Sequence, residues 1–299
     1  MAYAFPGAGA LDYFPCHYGT SRLLFRGPRR DLGGNYIAML GGTETYGKYV
    51  PVPFPALVEE RIGLRVANLG CVNAGPDVYL NEVPVTDIAS AASVCVVQIL
   101  GAQNISNRYY GVHPRRNDRF LGATPLLRAI FREVDFTEFS FTRHMLTSLQ
   151  RCSADRFEVI AEELRAAWVS RMKLLLSRLT GQTVLLWMAS NPPPTPGRRA
   201  NMALNPMLVD NEMLAAIRPF ASAYLEAVSS PDARACGTQG MAFAPMEALA
   251  AAGLPGAGHH GAGLRGPLRT RLRHRHGTAR AAPAGHGAAG GARLRAGCR

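Results

Sequence analysis

The stretch "MLGGTETYGKYV", Met39 to Val50, places Thr43 and Glu44 directly after an apolar run and two glycines. A hydroxyl lifted at the end of a strand on such a turn is either a nucleophile for acyl transfer or an ordinary helix N-cap accepting a backbone N–H. Glu44 is correspondingly a base or proton relay, or an acid favoured in a helix's first turn by the dipole. A second polar stretch, "YYGVHPRRNDRF", gathers Tyr109, Tyr110, His113, Arg115, Arg116 and Arg119 around Asn117 and Asp118. Arginine forks suit carboxylate, sulfate or phosphate groups. Tyr109, His113, Arg115 and Arg116, together with Glu44, are therefore the expected substrate-binding residues. The competing expectation is that these arginines pair inside the fold, for instance with Glu133 or Asp135.

The elements that must hold these residues alternate along the chain. "NYIAMLGG" reads as a short buried strand ending in glycines, and "FPALVEERIG" as a helix with Phe54, Leu57, Val58 and Ile62 on one face and Gly63 as its cap. "LRVANLG", "SVCVVQILG" and "QTVLLWMAS" are further apolar strands, with one or two helices between Asp77 and Ala92. From Asp155 to Leu179 apolar residues recur every three or four positions, the mark of an amphipathic helix. "NPMLVDNEMLAAIRPFASAYLEAV" reads as helical, interrupted near Pro219. His144 falls on an expected helix, and the aromatics of "DFTEFSFTRHM" read as core. Continuous apolar strands between amphipathic helices imply a mainly parallel sheet covered on both faces, a three-layer α/β/α sandwich over residues 35–255 preceded by an N-terminal arm over residues 1–34. Ligands bind such sheets beyond the carboxyl ends of the strands, and "GGTETYG", "GCVNAG" and "GAQNISNRYY" all fall there.

Strand, two glycines, threonine and then a helix resemble the first block of the SGNH, or GDSL-type, hydrolases, with Gly41, Gly42, Thr43, Thr45 and Gly47 in the corresponding places and Thr43 at the nucleophile position. "NLGCVNAG" is similar to the second block, and "GAQN" to the third, with Gly101 matching and Gln103 and Asn104 at the two amide or acid positions. The resemblance implies a flavodoxin-like sheet, a Gly75 N–H and a Gln103 or Asn104 amide as oxyanion donors, and a histidine base near the C-terminus. His259 and His260 stand about where that base is expected, whereas the family's Asp-x-x-His block has no counterpart here because no aspartate follows Asp232. Acyl transfer needs these parts together: a hydroxyl, a base for its proton, and donors aimed at the developing oxyanion, each worth about 3 kcal/mol. The longer stretches "HYGTSRLLFRGPRR", "LGGTETYGKYVPVPFP" and "GAQNISNRYYGVHPRRNDRF" resemble a family of bacterial domains without an assigned reaction.

Composition sets the outer bounds. With 299 residues, 47% of them hydrophobic, the chain can bury a large core. No apolar run reaches the roughly 20 residues of a membrane-spanning helix, and no export signal is read at the start, so a cytoplasmic protein is expected. The six cysteines form no C-x-x-C pair and read as reduced structural thiols, so no metal site is expected, and no cofactor motif is read. Of the net charge of +12, nine charges are arginines after Ala248, leaving +3 for the body. The Gly, Ala, Arg, His and Pro vocabulary of residues 256–299 reads as a disordered basic tail. It is either the product of a shifted reading frame in a GC-rich gene or a natural arm for nucleic acid; nucleic acid is expected as a partner only through it. "GTSRLLFRGPRR", with Arg22, Arg26, Arg29 and Arg30, is similar to a sulfotransferase phosphate loop but lacks a preceding strand and a Walker lysine. The expected function is an SGNH-like esterase or O-acyltransferase acting on an acylated substrate, anionic or carbohydrate in character. The alternatives are a catalytically silent carbohydrate- or partner-binding member, and a sulfuryl or phosphoryl transferase.

Overall fold

The computed structural model describes residues 9–195 and 200–262. In chain order the first half contains β1 (Tyr36–Gly41), α1 (Thr43–Tyr46), α2 (Phe54–Ile62), β2 (Arg65–Gly70), α3 (Pro76–Leu80), α4 (Val83–Ala91) and β3 (Val94–Gln98). A hairpin of β4 (Tyr110–His113) and β5 (Arg116–Ala123) follows, then α5 (Pro125–Ile130), α6 (Thr142–Cys152) and α7 (Ala154–Arg178). The remainder is β6 (Thr183–Ala189), α8 (Asn211–Ile217), β7 (Ala223–Val228), α9 (Pro231–Ala235), α10 (Ala248–Ala252) and α11 (Ala257–Ala262).

Five strands form one parallel sheet in the order β2-β1-β3-β6-β7. Every residue of β1, β3 and β6 is buried, which is why these strands read as unbroken apolar runs. Alternation within β1 shows the two faces. Ile37 and Met39 pack with Phe54 and Val58 of α2, while Tyr36, Ala38 and Leu40 face the larger core built with Val78, Val85, Trp168 and Met172. The molecule is thus a three-layer α/β/α sandwich with the 2-1-3-4-5 flavodoxin-like strand order.

Helix α7 is started by Ser153, whose hydroxyl accepts the Arg156 N–H, and it buries Phe157, Ile160, Leu164, Trp168, Met172 and Leu175 along one stripe. Trp168 Nε1 donates to Leu100 O at 2.8 Å, fixing the loop that leaves β3. The arm folds back on itself through a bridge between Cys16 and Phe25 and is tied to the body by Arg26, which donates to the carbonyls of Gly47, Val50 and Pro51.

Two segments differ from the sequence expectation. Residues 223–228, expected to be helical, form the edge strand β7: Ala, Leu and Glu favour helix locally, but parallel pairing with β6 buries Leu225 and Ala227 while Glu226 faces out. Residues 257–262, assigned by sequence to the tail, form α11 against α2 and α9. The rest of the expected tail lies outside the described residues. Cys16, Cys71, Cys95, Cys152 and Cys236 are free thiols, and Cys298 also lies outside the described residues. Among the described residues no helix is long and apolar enough to cross a membrane, and no group of three His, Cys, Asp or Glu is placed to hold a metal ion.

Candidate functional site

A cavity of about 710 Å³ opens where β1, β3 and β6 end, walled by the loops that follow β1, β2 and β3, by α6, and by residues 249–254. Thr43, Glu44, Asn73, Gln98, Gln103, Asn104, Asp118, Arg143, His144 and Arg151 supply its polar lining.

The turn after β1 is glycine because nothing larger fits. A Cβ on Gly41 would lie 2.0 Å from Thr45 Oγ1. Gly42, not Thr43, is the N-cap of α1, so the capping expectation for Thr43 is not met. The Thr43 hydroxyl instead accepts the Asn73 N–H at 2.9 Å and donates to Asn73 Oδ1 at 3.2 Å. A hydroxyl has one proton to give, and here it goes to an amide oxygen rather than to a base.

Gln98, which the sequence reading overlooked, organises the same turn. Its Oε1 accepts from Gly42 N–H at 3.0 Å, Thr45 N–H at 3.2 Å and the Thr45 hydroxyl at 2.6 Å. Its Nε2 donates to Glu44 Oε2 at 2.8 Å, swinging that carboxylate back towards the cavity. The available signal was a polar residue closing an otherwise apolar strand.

The loop after β3 brings both expected amides to the cavity wall, in different states. Asn104 is used internally: its Nδ2 donates to Asn73 O at 2.8 Å, and its Oδ1 accepts the Thr142 hydroxyl at 2.6 Å. Gln103 Oε1 is buried with no hydrogen-bond partner among the described residues. Buried acceptors are rarely left unpaired in a resting fold; this oxygen is packed against Gly101, where a Cβ would lie 2.2 Å from it.

The Gly75 N–H is not an oxyanion donor, contrary to the sequence expectation, because it donates to Asn117 Oδ1 at 3.1 Å, an acceptor shared with the Val78 N–H at 2.9 Å. Gly75 is required for packing, since a Cβ there would sit 1.8 Å from Asn104 O.

His259 and His260 also depart from expectation: neither lines the cavity. His259 Nδ1 shares a hydrogen bond with the Ser229 hydroxyl, and His260 Nδ1 accepts the Phe54 N–H at 3.1 Å. Burial pushes their pKa values down to about 4 and about 3. They are neutral structural rings, not the base for Thr43.

The β4–β5 hairpin divides in the same way. Asp118 reaches the cavity and accepts from Asn73 Nδ2 at 3.2 Å. Arg115 and Arg116 sit exposed at the hairpin turn, His113 Nδ1 accepts the Arg115 N–H, and Tyr109 is buried beneath Arg108; none of these four lines the cavity. The expected pairing of these arginines with Glu133 or Asp135 is absent as well: Glu133 is bound by Arg156, and Asp135 by Thr137. The cavity takes its cations from α6 instead. Arg143 donates to Asn205 Oδ1 at 2.6 Å; desolvation lowers its pKa, and the Glu44 charge opposes that shift. In the arm, Arg26 is spent on carbonyls and Arg30 on Glu59.

Strand order defines a flavodoxin-like α/β/α domain, and its cavity opens at the carboxyl edge of the sheet. The chain belongs to the family described as "Domain of unknown function (DUF6473)", whose match covers residues 1–266. No curated protein matches it. Among solved structures it is similar to a Streptococcus pneumonia protein provisionally described as a platelet activating factor, at 13% identity over 77% of this chain and 82% of that one, with a TM-score of 0.30.

Proposed function

We propose that this chain is a catalytically silent, SGNH-like member that binds a small carbohydrate-like ligand at the carboxyl edge of its sheet. The observation that carries the proposal is the closure of Thr43 on Asn73, which leaves the candidate nucleophile without a base. The lining favours a polyol. Asn73, Gln98, Gln103, Asn104 and Asn205 give the cavity wall an unusual share of amides, and an amide both accepts from and donates to hydroxyl groups. The half-exposed ring of Phe141 at the cavity wall, with the Arg119 guanidinium 5.2 Å from its centroid, offers an apolar edge for the C–H face of a sugar.

Ester hydrolysis or O-acyl transfer on an acylated carbohydrate is the second reading, favoured by the presence of Thr43 and Glu44 on the same cavity wall. In it, a bound substrate displaces Asn73, the Thr43 oxygen attacks the ester carbonyl while its proton passes to Glu44, and that proton leaves with the alcohol. Water or an acceptor hydroxyl then takes the acyl group from threonine, with the Gln103 amide as the oxyanion donor.

One experiment separates the two. Turnover of short-chain nitrophenyl esters is compared between the parent and Thr43→Ala, alongside thermal shifts with a panel of neutral monosaccharides. The binding reading expects equal ester rates in both proteins and a sugar-induced shift that Gln103→Ala removes. Thr43-dependent turnover overturns it in favour of the second reading, and a sugar panel that shifts nothing overturns the carbohydrate assignment.

A further inference from the structure

Helix α6 contributes more to the cavity than packing requires. Met145, Leu146 and Leu149 bury its inner face, while Arg143, Thr147 and Arg151, each four residues apart, form one stripe along the cavity wall with His144 beside it. Several arginines of this fold have carboxylate partners: Arg30 has Glu59, Arg65 has Asp31, Arg108 has Glu163, Arg156 has Glu133 and Arg171 has Asp77. Others, such as Arg26 and Arg178, are spent on backbone carbonyls. The two arginines of the stripe do neither. Among the described residues neither forms an ion pair. Among those residues the Arg151 side chain has no hydrogen-bond partner, and Arg143 makes a single side-chain bond, to the neutral Asn205. The carboxylates that share the cavity are held elsewhere, Glu44 by Gln98 and Asp118 by Asn73. Two solvent-exposed arginines on one cavity wall, Arg143 oriented by an amide and within the field of Glu44, and neither in an ion pair among the described residues, suit an oxyanion.

We propose that the cavity recognises a sugar carrying an oxyanion, either a carboxylate or a phosphate, with the anionic group held by Arg143 and Arg151 and the hydroxyls facing Asn73, Gln103 and Asn104. This rests on the carbohydrate-binding reading above and names the class of ligand within it. His144, edge-on to Phe139 at 5.0 Å, stands beside the two arginines on the cavity wall.

Isothermal titration of the full chain at low salt compares glucose, glucuronate, glucose 6-phosphate and inorganic phosphate. The same titrations are run on Arg143→Gln and Arg151→Gln, whose unfolding midpoints are measured first to confirm that they fold. A charge-assisted contact leads to an affinity at least about tenfold tighter for an anionic sugar than for glucose. That ratio falls towards one in either variant and shrinks with added salt. Glucuronate and glucose 6-phosphate differ between themselves according to whether carboxylate or phosphate is the natural group. Glucose binding as tightly as both anionic sugars, or an anionic advantage that survives both substitutions, overturns the oxyanion site while leaving the carbohydrate reading intact. Inorganic phosphate binding as tightly as glucose 6-phosphate overturns the sugar portion instead. The absence of binding by all four overturns both.

Discussion

Replacing Gln98 with leucine removes the side chain from which the start of α1 is hung. The substitution keeps a similar volume on a residue only 3% exposed but offers no acceptor, so two N–H groups and the hydroxyl of the fully buried Thr45 lose their partner at once. An orphaned buried donor costs about 1–3 kcal/mol. Because the Thr45 hydroxyl can rotate, the combined loss is expected to be about 3–6 kcal/mol, a large share of the roughly 5–15 kcal/mol typical of a folded domain. Thr45→Val removes one of the three bonds and is expected to cost about 1–2 kcal/mol. The double variant should cost less than the sum of the singles, since both delete the same contact. Urea unfolding followed by tryptophan fluorescence reads these losses directly, because both tryptophans, Trp168 and Trp187, are buried. A Gln98→Leu protein that loses less than about 1 kcal/mol with an unchanged denaturant slope would refute the role given to Gln98.

Acid should weaken the fold through His259 and His260, whose folded-state values of about 4 and about 3 lie below the ordinary 6.5. Between those values the unfolded chain binds more protons, so stability is complete above pH 6.5 and falls with pH, by about 2 kcal/mol per histidine at pH 5. His260→Asn, whose side-chain oxygen can still accept the Phe54 N–H, should show a smaller drop in urea midpoint between pH 7 and pH 5; an equal drop in variant and parent refutes this. Gly75→Ala drives a methyl group to 1.8 Å from Asn104 O at a backbone angle that alanine tolerates, so the clash alone is tested. Overpacking of this kind costs about 1–3 kcal/mol, which lowers the thermal midpoint by at least about 3 °C. An unchanged midpoint would mean that the two loops part without cost.

The elements whose residue types burial dictates were the legible ones. β1, β3 and β6 announce themselves as unbroken apolar runs, β2 as a shorter mixed run closed by glycine, and α7 as a long stripe. β7 did not, because an edge strand made of Ala, Leu and Glu carries helix-forming residues, and only its pairing with β6 decides its conformation. In the site, Thr43, Glu44, Gln103 and Asn104 converge because each follows a strand of one parallel sheet, and topology alone brings such positions to one edge. Hydrogen-bond partners follow no such rule. Whether the Gly75 N–H was free depended on Asn117, 42 residues away, and the placement of His259 and His260 depended on Phe54 and Ser229. The α6 arginines were overlooked although Arg143, Thr147 and Arg151 recur every four residues, since the pattern shows that they share a face but not what that face looks upon.

The fit of α11 bears on the coding sequence itself. Residues translated in a wrong frame carry side chains matched to nothing around them, yet the His260 ring lies 6.0 Å from the Phe54 ring and satisfies the first amide of α2, while His259 meets a buried serine. A chain cut back to residue 255 would lose a cover that the body needs, leaving Phe54 and Ser229 open to water.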